Sequence, residues 1–255
     1  MDQLRTIGYR LARITVALAV ALPAGLSMTT SAEAATCTST GFVRDSINLT
    51  AAQIGGTVSG TLNATGCDIG VYYAGTPGSV TSGAEIFGAR YFGVVNNGTS
   101  VTVEGASIHN IGNNPFDGTQ HGVGIYFVDG GTGTIDGNTV WAYQKGGIVV
   151  TETPTYTGAA TTATVTNNTV TGLGPADFIA QNGIQVSRGA VATVRGNSIA
   201  DNFYTGEAGV PNPAGDSPEG FEYFSTGLLL FEAGAGTKTS DNRFSGNQHN
   251  FAKVP

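Results

Sequence analysis

The chain has 255 residues, 39 of them glycine, and only 11% are charged, against about 25% in ordinary soluble proteins. Its formal charge of −7, with no Lys/Arg cluster beyond the first thirteen residues, excludes a basic nucleic-acid binder. The glycines lack a three-residue period, which excludes collagen, and the regular patterning excludes a linker or a disordered tail.

Residues 1–34 read as a secretory signal. Arg5, Arg10 and Arg13 form a basic start, residues 14–27 are mostly apolar, and Ala32-Glu33-Ala34 offers the small residues a signal peptidase requires. The apolar stretch is interrupted by Pro23 and falls short of the roughly 20 residues of a membrane-crossing helix. Cleavage before Ala35 predicts a secreted, extracellular chain with no membrane insertion. Its sixteen acidic and eight basic residues then disfavour tight binding to anionic surfaces. In that oxidising compartment Cys37 and Cys67 are expected to form one structural disulfide. Residues 35–66 are expected to make an N-terminal cap or an irregular first coil.

From residue 67 onward the chain repeats itself. A glycine followed by apolar residues in the first and third places recurs at Gly70, Gly93, Gly124, Gly147, Gly183 and Gly227, at intervals of 23, 31, 23, 36 and 44. A second string, such as Ile135-Asp136-Gly137-Asn138-Thr139-Val140, alternates with it. Apolar residues are spaced by two and β-branched residues prevail, so the units are strands. A unit of 22–23 residues with three short strands is one turn of a solenoid, which buries its apolar side only by stacking. This predicts an all-β, single-stranded solenoid of about six coils over residues 67–255.

Two inward columns follow: Val94, Ile125, Ile148, Ile184 and Leu228, and Ile86, Ile108, Val140, Val170, Ile199 and Phe244. Asn138, Asn168, Asn197 and Asn242 fall at the bend between second and third strands. Asn tolerates left-handed backbone there, and its amides can stack as a ladder. The longer intervals hold loops at 111–120, 172–181 and 202–225, which carry aromatics beside carboxylates.

The pattern resembles the right-handed parallel β-helix repeat of the pectate-lyase-like superfamily over roughly residues 70–251. The resemblance implies a right-handed parallel β-helix with a substrate cleft on the first-strand face and its flanking loops. It also implies lyase- or hydrolase-like action on extracellular polysaccharide. The family's polygalacturonases carry Asn-Thr-Asp, Asp-Asp and Gly-His-Gly motifs, of which this chain offers only Gln120-His121-Gly122. Pectate lyases use an acidic calcium cluster and an Arg base on a face that is mostly neutral here. The sequence requires no cofactor and names no metal ligands, and calcium is the ion the resemblance leaves open.

Five residues past the repeat glycines stand Gly75, Gly98, Asp129, Glu152, Arg188 and Glu232. Coils stack about 4.8 Å apart, which would bring Asp129, Glu152 and Arg188 together as catalytic candidates with divergent carboxylate pKa values. The alternative is a line of solvated turn charges. Candidate substrate-binding residues are Tyr126 and Gln185 on a first-strand face expected to be exposed with Val149 and Leu229, together with Lys145, His121 and Tyr223. The expected partner is a polysaccharide or cell-surface glycan, bound by a monomer. The alternative function is a non-catalytic carbohydrate-binding or cell-surface β-helix. A further pattern is the outward second-strand pairs Ser100/Thr102, Thr132/Thr134, Thr162/Thr164 and Val191/Thr193, an arrangement some ice-binding proteins use. Against it stand Glu104, Asp136 and Arg195 in the next outward column, and threonine's general fitness for strands.

Overall fold

A computed structural model describes residues 32–206 and 224–255. Almost all of the expected leader, and Tyr223 in the longest loop, lie outside the described residues. The chain winds so that each coil lays one strand in each of three sheets. Among the described residues the first-strand sheet holds nine strands and the other two hold seven each. Every pairing between coils is parallel, so side chains two dozen or more positions apart become neighbours.

Seven complete coils are present among the described residues, where about six were expected. The additional one is the first: Ile47–Ile54, Thr57–Val58 and Thr61–Asn63. It escapes the glycine count because Ala52 stands where later coils carry glycine, one place after Ala51, which pairs with Ile69. The rest of the N-terminal region includes a strand, Thr38–Arg44, that runs antiparallel to Ile47–Ile54.

Both inward columns are in register. Val94 pairs with Ile125, Ile125 with Ile148, Ile148 with Ile184 and Ile184 with Leu228, all at most 1% exposed. The second column runs unbroken from Leu62 through Ile86 to Phe244. The repeat glycine is explained by these columns. A Cβ built on Gly147 would stand 2.3 Å from Val170 Cγ1 and 2.6 Å from the carbonyl oxygen of Gly183. Gly70, Gly93, Gly124 and Gly183 face the same crowding from the third strand and from the next glycine's carbonyl.

The asparagine ladder forms, with one correction. The left-handed residue is not the ladder asparagine but the one before it: Gly137 (φ 65°), Asn167 (55°), Gly196 (70°) and Asp241 (56°). Bending one residue earlier turns the asparagine inward, where its amide meets the neighbouring coils. Asn168 Oδ1 accepts from the Asn138 backbone N–H and Nδ2, each at 2.9 Å, while Asn168 Nδ2 donates to Ile135 O and Asn197 Oδ1. This corner is two residues long in five successive coils, from Gly105-Ala106 to Asp241-Asn242. All large insertions lie at the other two corners.

A second correction concerns the first-strand face. Tyr126 and Val149, expected on the surface, are 4% and 7% exposed. The N-terminal arm folds over this face, and the chain then turns into the first coil at Asp45 and Ser46, both in left-handed conformation. Phe42 packs on Tyr72 and Phe92, with ring centroids 5.7 and 6.2 Å away, and the Arg44 guanidinium lies 5.5 Å over the Tyr126 ring. Phe42, Tyr72, Phe92 and Tyr126 form, with Leu49 and Tyr91, a second apolar cluster outside the solenoid's interior.

The Cys37–Cys67 disulfide is formed, joining the segment before the arm to the approach of the second coil with Cα atoms 5.3 Å apart. The bridge closes a sequence separation of 30 residues. Replacing both cysteines by serine is expected to lower the unfolding free energy by about 3 kcal/mol, from the added freedom of the unfolded chain. Urea denaturation of the double variant measures this; an unchanged midpoint would contradict it.

Candidate functional site

The row five residues past the repeat glycines is chiefly a row of turn residues. Asp129, Arg188 and Glu232 have φ of 48°, 55° and 50°, matching the left-handed Gly75 and Gly98 in earlier coils. The Asp129 carboxylate accepts from the Thr153 backbone N–H at 2.7 Å and from Thr153 Oγ1 at 3.0 Å. Glu152 begins an inserted loop and is 8% exposed; its Oε1 accepts from the Thr161 backbone N–H, and its buried Oε2 has no partner among the described residues. Arg188 is exposed and makes no ion pair among the described residues. The three lie on successive coils, as stacking requires, but no hydrogen bond or ion pair joins them.

The substrate-binding candidates separate. Tyr126 is covered by Arg44, and Gln185 is half-buried within the outward row of its own strand, bonded to Asn182 and Ser187. Lys145 Nζ donates to the Ala180 carbonyl at 2.8 Å, linking one coil to the next loop. His121 alone stands beside a polar hollow, bonded to Asn113 of its lining.

That hollow sits at the corner between third and first strands, under the loop 112–122. It has a volume of about 700 Å³, and Asp68, Arg90, Asn113, Asn114 and Asp117 are among its lining. Asp68, buried at the start of the second coil, accepts from Thr50 N–H and from Arg90 Nη2 at 2.7 Å and Nε at 3.0 Å. Arg90 lies 5.0 Å over the Tyr91 ring, and His121 stacks on the same ring at 4.0 Å. His121 Nε2 is 3.0 Å from Asn113 Oδ1. Burial and then the Arg90 charge hold the His121 pKa below its usual value, so the ring is neutral at neutral pH.

Asp117 is held ionised. Donation from the Thr119 hydroxyl and backbone N–H, and from Asn113, pulls its pKa down to about 2. Gln144, buried beneath the loop, fixes this geometry by accepting from the Asn113 N–H and donating to Thr119 O at 2.7 Å. The roots of the other two long loops are pinned in the same way. Gln181 bonds Leu173 N–H and Tyr143 O, and Gln248 bonds Tyr204 N–H and Ser225 N–H.

Beside the hollow, the third-strand sheet carries a column of rings. Phe87, His109 and Trp141 pair across successive coils. Phe87 and His109 stack at 5.4 Å and 6°, His109 and Trp141 at 4.3 Å and 17°. Glu85 Oε1 lies 3.1 Å from His109 Nε2. Past Trp141 the column continues with small residues, Thr171, Ala200 and Ser245. Phe87 also lines a second hollow of about 440 Å³ with Asn110 and Phe116, which shares Gly88, Gly112 and Asn113 with the first. Polar pocket and ring column are therefore one strip. The sequence held a signal for the rings: each stands one position after Ile86, Ile108 and Val140 of the inward column, where a strand side chain must point outward.

A family model described as the right handed beta helix region matches residues 55–244. The chain thus belongs to the right-handed β-helix family, and the parallel coils of the structure agree with it. No curated protein and no solved structure matches the chain. Among the described residues no group of three or more His, Cys, Asp or Glu stands close enough to hold a metal ion, and no helix is long and apolar enough to cross a membrane.

Proposed function

We propose that this is a secreted β-helix protein that holds an extracellular polysaccharide along the strip from Arg90 to Trp141. The observation that carries the reading is the continuity of a polar hollow with a column of stacked rings. Sugars present apolar ring faces beside hydroxyls, and a site of aromatic surface with a few placed charges suits both. The basic-apolar leader pattern and the disulfide support secretion. The ionised Asp117 and the Arg90–Asp68 pair are the groups that would order hydroxyls. Their presence in one hollow also favours a second reading, lyase- or hydrolase-like action, for which the Asp129, Glu152 and Arg188 row is the alternative place.

A panel of neutral and uronate polysaccharides distinguishes these. Binding measured by calorimetry is expected to weaken about tenfold or more, roughly 1.4 kcal/mol, in Trp141→Ala and in Arg90→Ala. Release of reducing ends or unsaturated products that fails in Asp117→Asn would place catalysis in the hollow. Turnover lost instead in Glu152→Gln and Arg188→Ala would place it in the turn row. Wild-type protein that binds and converts no member of the panel overturns the reading.

A further inference from the structure

We propose that the outer face of the second-strand sheet is an ice-binding surface, a function independent of the polysaccharide strip on the other side of the molecule's corner. The face is built from two hydroxyl columns. Thr102, Thr134, Thr164 and Thr193 are consecutive Cα partners, extended toward the N-terminus by Ser79 and Thr57. Ser100, Thr132 and Thr162 form the second column in the same register.

The sheet sets both repeats of this array. Neighbouring coils place equivalent hydroxyls about 4.8 Å apart along the solenoid, and residues i and i+2 about 6.6–6.8 Å apart along each strand. The oxygen rows of hexagonal ice repeat at spacings close to both. Beneath the array the inward positions are small, Gly133, Ala163 and Ala192, and between the columns runs a shallow trough of about 220 Å³. A file of ordered water fits such a trough, flanked by methyl groups that hold it and hydroxyls that bond to it.

Two observations separate this face from ordinary strand threonines. The hydroxyls of Ser100, Thr102, Thr134, Thr162, Thr164 and Thr193 make no hydrogen bond to the protein among the described residues, while Thr132 reaches Thr99 O only at 3.4 Å and Thr57 and Ser79 bond each other at the N-terminal end. Many threonines elsewhere are committed, as Thr50 to Asp68, Thr119 to Asp117, Thr153 to Asp129 and Thr166 to Asp136. The neighbouring charges also stand at the margin. The Asp136 carboxylate accepts from Thr166 Oγ1 and from Asn167 Nδ2 at 2.8 Å, so it is engaged at the tight corner. Across the two columns themselves no charge occurs from Ser100 to Thr193, and Lys238, the partner of Thr193 on the last coil, ends the array.

The test is growth of single ice crystals and recrystallisation of fine-grained ice in the presence of the purified protein. Wild type is expected to facet crystals and to slow recrystallisation. The paired variant Thr134→Lys/Thr164→Lys, which sets strongly hydrated ammonium groups on the array, is expected to lose both effects while keeping the far-UV circular dichroism of the coils. The control Thr169→Lys/Ser198→Lys, on the third-strand sheet, is expected to retain them. Absence of any effect from wild type overturns the proposal, as does equal activity in the first variant. Wild type that ignores ice but is retained on crystalline cellulose through Thr134 and Thr164 overturns it in favour of a flat polysaccharide surface. Polysaccharide binding lost in Trp141→Ala but kept in Thr134→Lys/Thr164→Lys shows that the two surfaces fail separately.

Discussion

An Asn168→Leu variant is expected to unfold at much lower urea than wild type, with a loss of about 4 kcal/mol. The substitution is close in size, so packing contributes little. The cost lies in the backbone that the amide serves. Asn138 N–H loses its acceptor and Ile135 C=O loses the amide donor that crossed from the next coil. Asn138 is 1% and Ile135 0% exposed, so water cannot take over. Each buried group stripped of its partner costs about 1–3 kcal/mol. The same change at Asn242, in the last complete coil, strips Asn197 N–H and Val194 C=O, whose residues are also 0% exposed, so a comparable loss is expected there. A loss below about 1 kcal/mol at both sites would mean that the ladder does not hold the corner.

Gly147→Ala is expected to cost about 3 kcal/mol, the upper end of ordinary overpacking. A single methyl is added, at a position where it meets a side chain and a backbone at once. Val170 Cγ1 can change rotamer, but the Gly183 carbonyl 2.6 Å from the new Cβ is fixed between coils. Pairing the change with Val170→Ala is therefore expected to recover only part of the loss. Gly189→Ala supplies the contrast, since its Cβ would meet nothing within 4 Å while its φ of 86° disfavours any side chain. About 1 kcal/mol is expected there, from backbone conformation alone. Thermal and urea denaturation of the three variants decide the matter. A Gly147→Ala protein as stable as Gly189→Ala would show that coil spacing relaxes around the methyl.

Much of this architecture is legible in the residues themselves. Period-two patterning fixes which side of a strand is buried, and stacking then aligns Ile125 with Ile148 and Ile184 with no further information. The first coil reads from sequence only as a cap or an irregular coil, because its marker position holds Ala52 rather than glycine. The exposure of Tyr126 was misjudged for a different reason. Its cover includes Arg44, more than eighty positions earlier, and no local pattern announces an arm that folds back across a sheet. The ring column was within reach of the same reasoning that found the core, shifted outward by one residue. The polar hollow was not, because Asp68, Arg90 and Asp117 converge through the path of the non-repeating loop 112–122, which Gln144 holds from below.

The unequal corners have a consequence for how such a chain can change. Where the asparagines stack, one added residue would slide a strand by half a pleat and turn its core side chains to solvent. At the other two corners extra chain simply bulges away from the stack, at an entropic cost that grows slowly with length. New recognition surface can therefore accumulate along two margins while the third acts as a fixed spine, and the strip from Arg90 to Trp141 begins on one of those permissive margins.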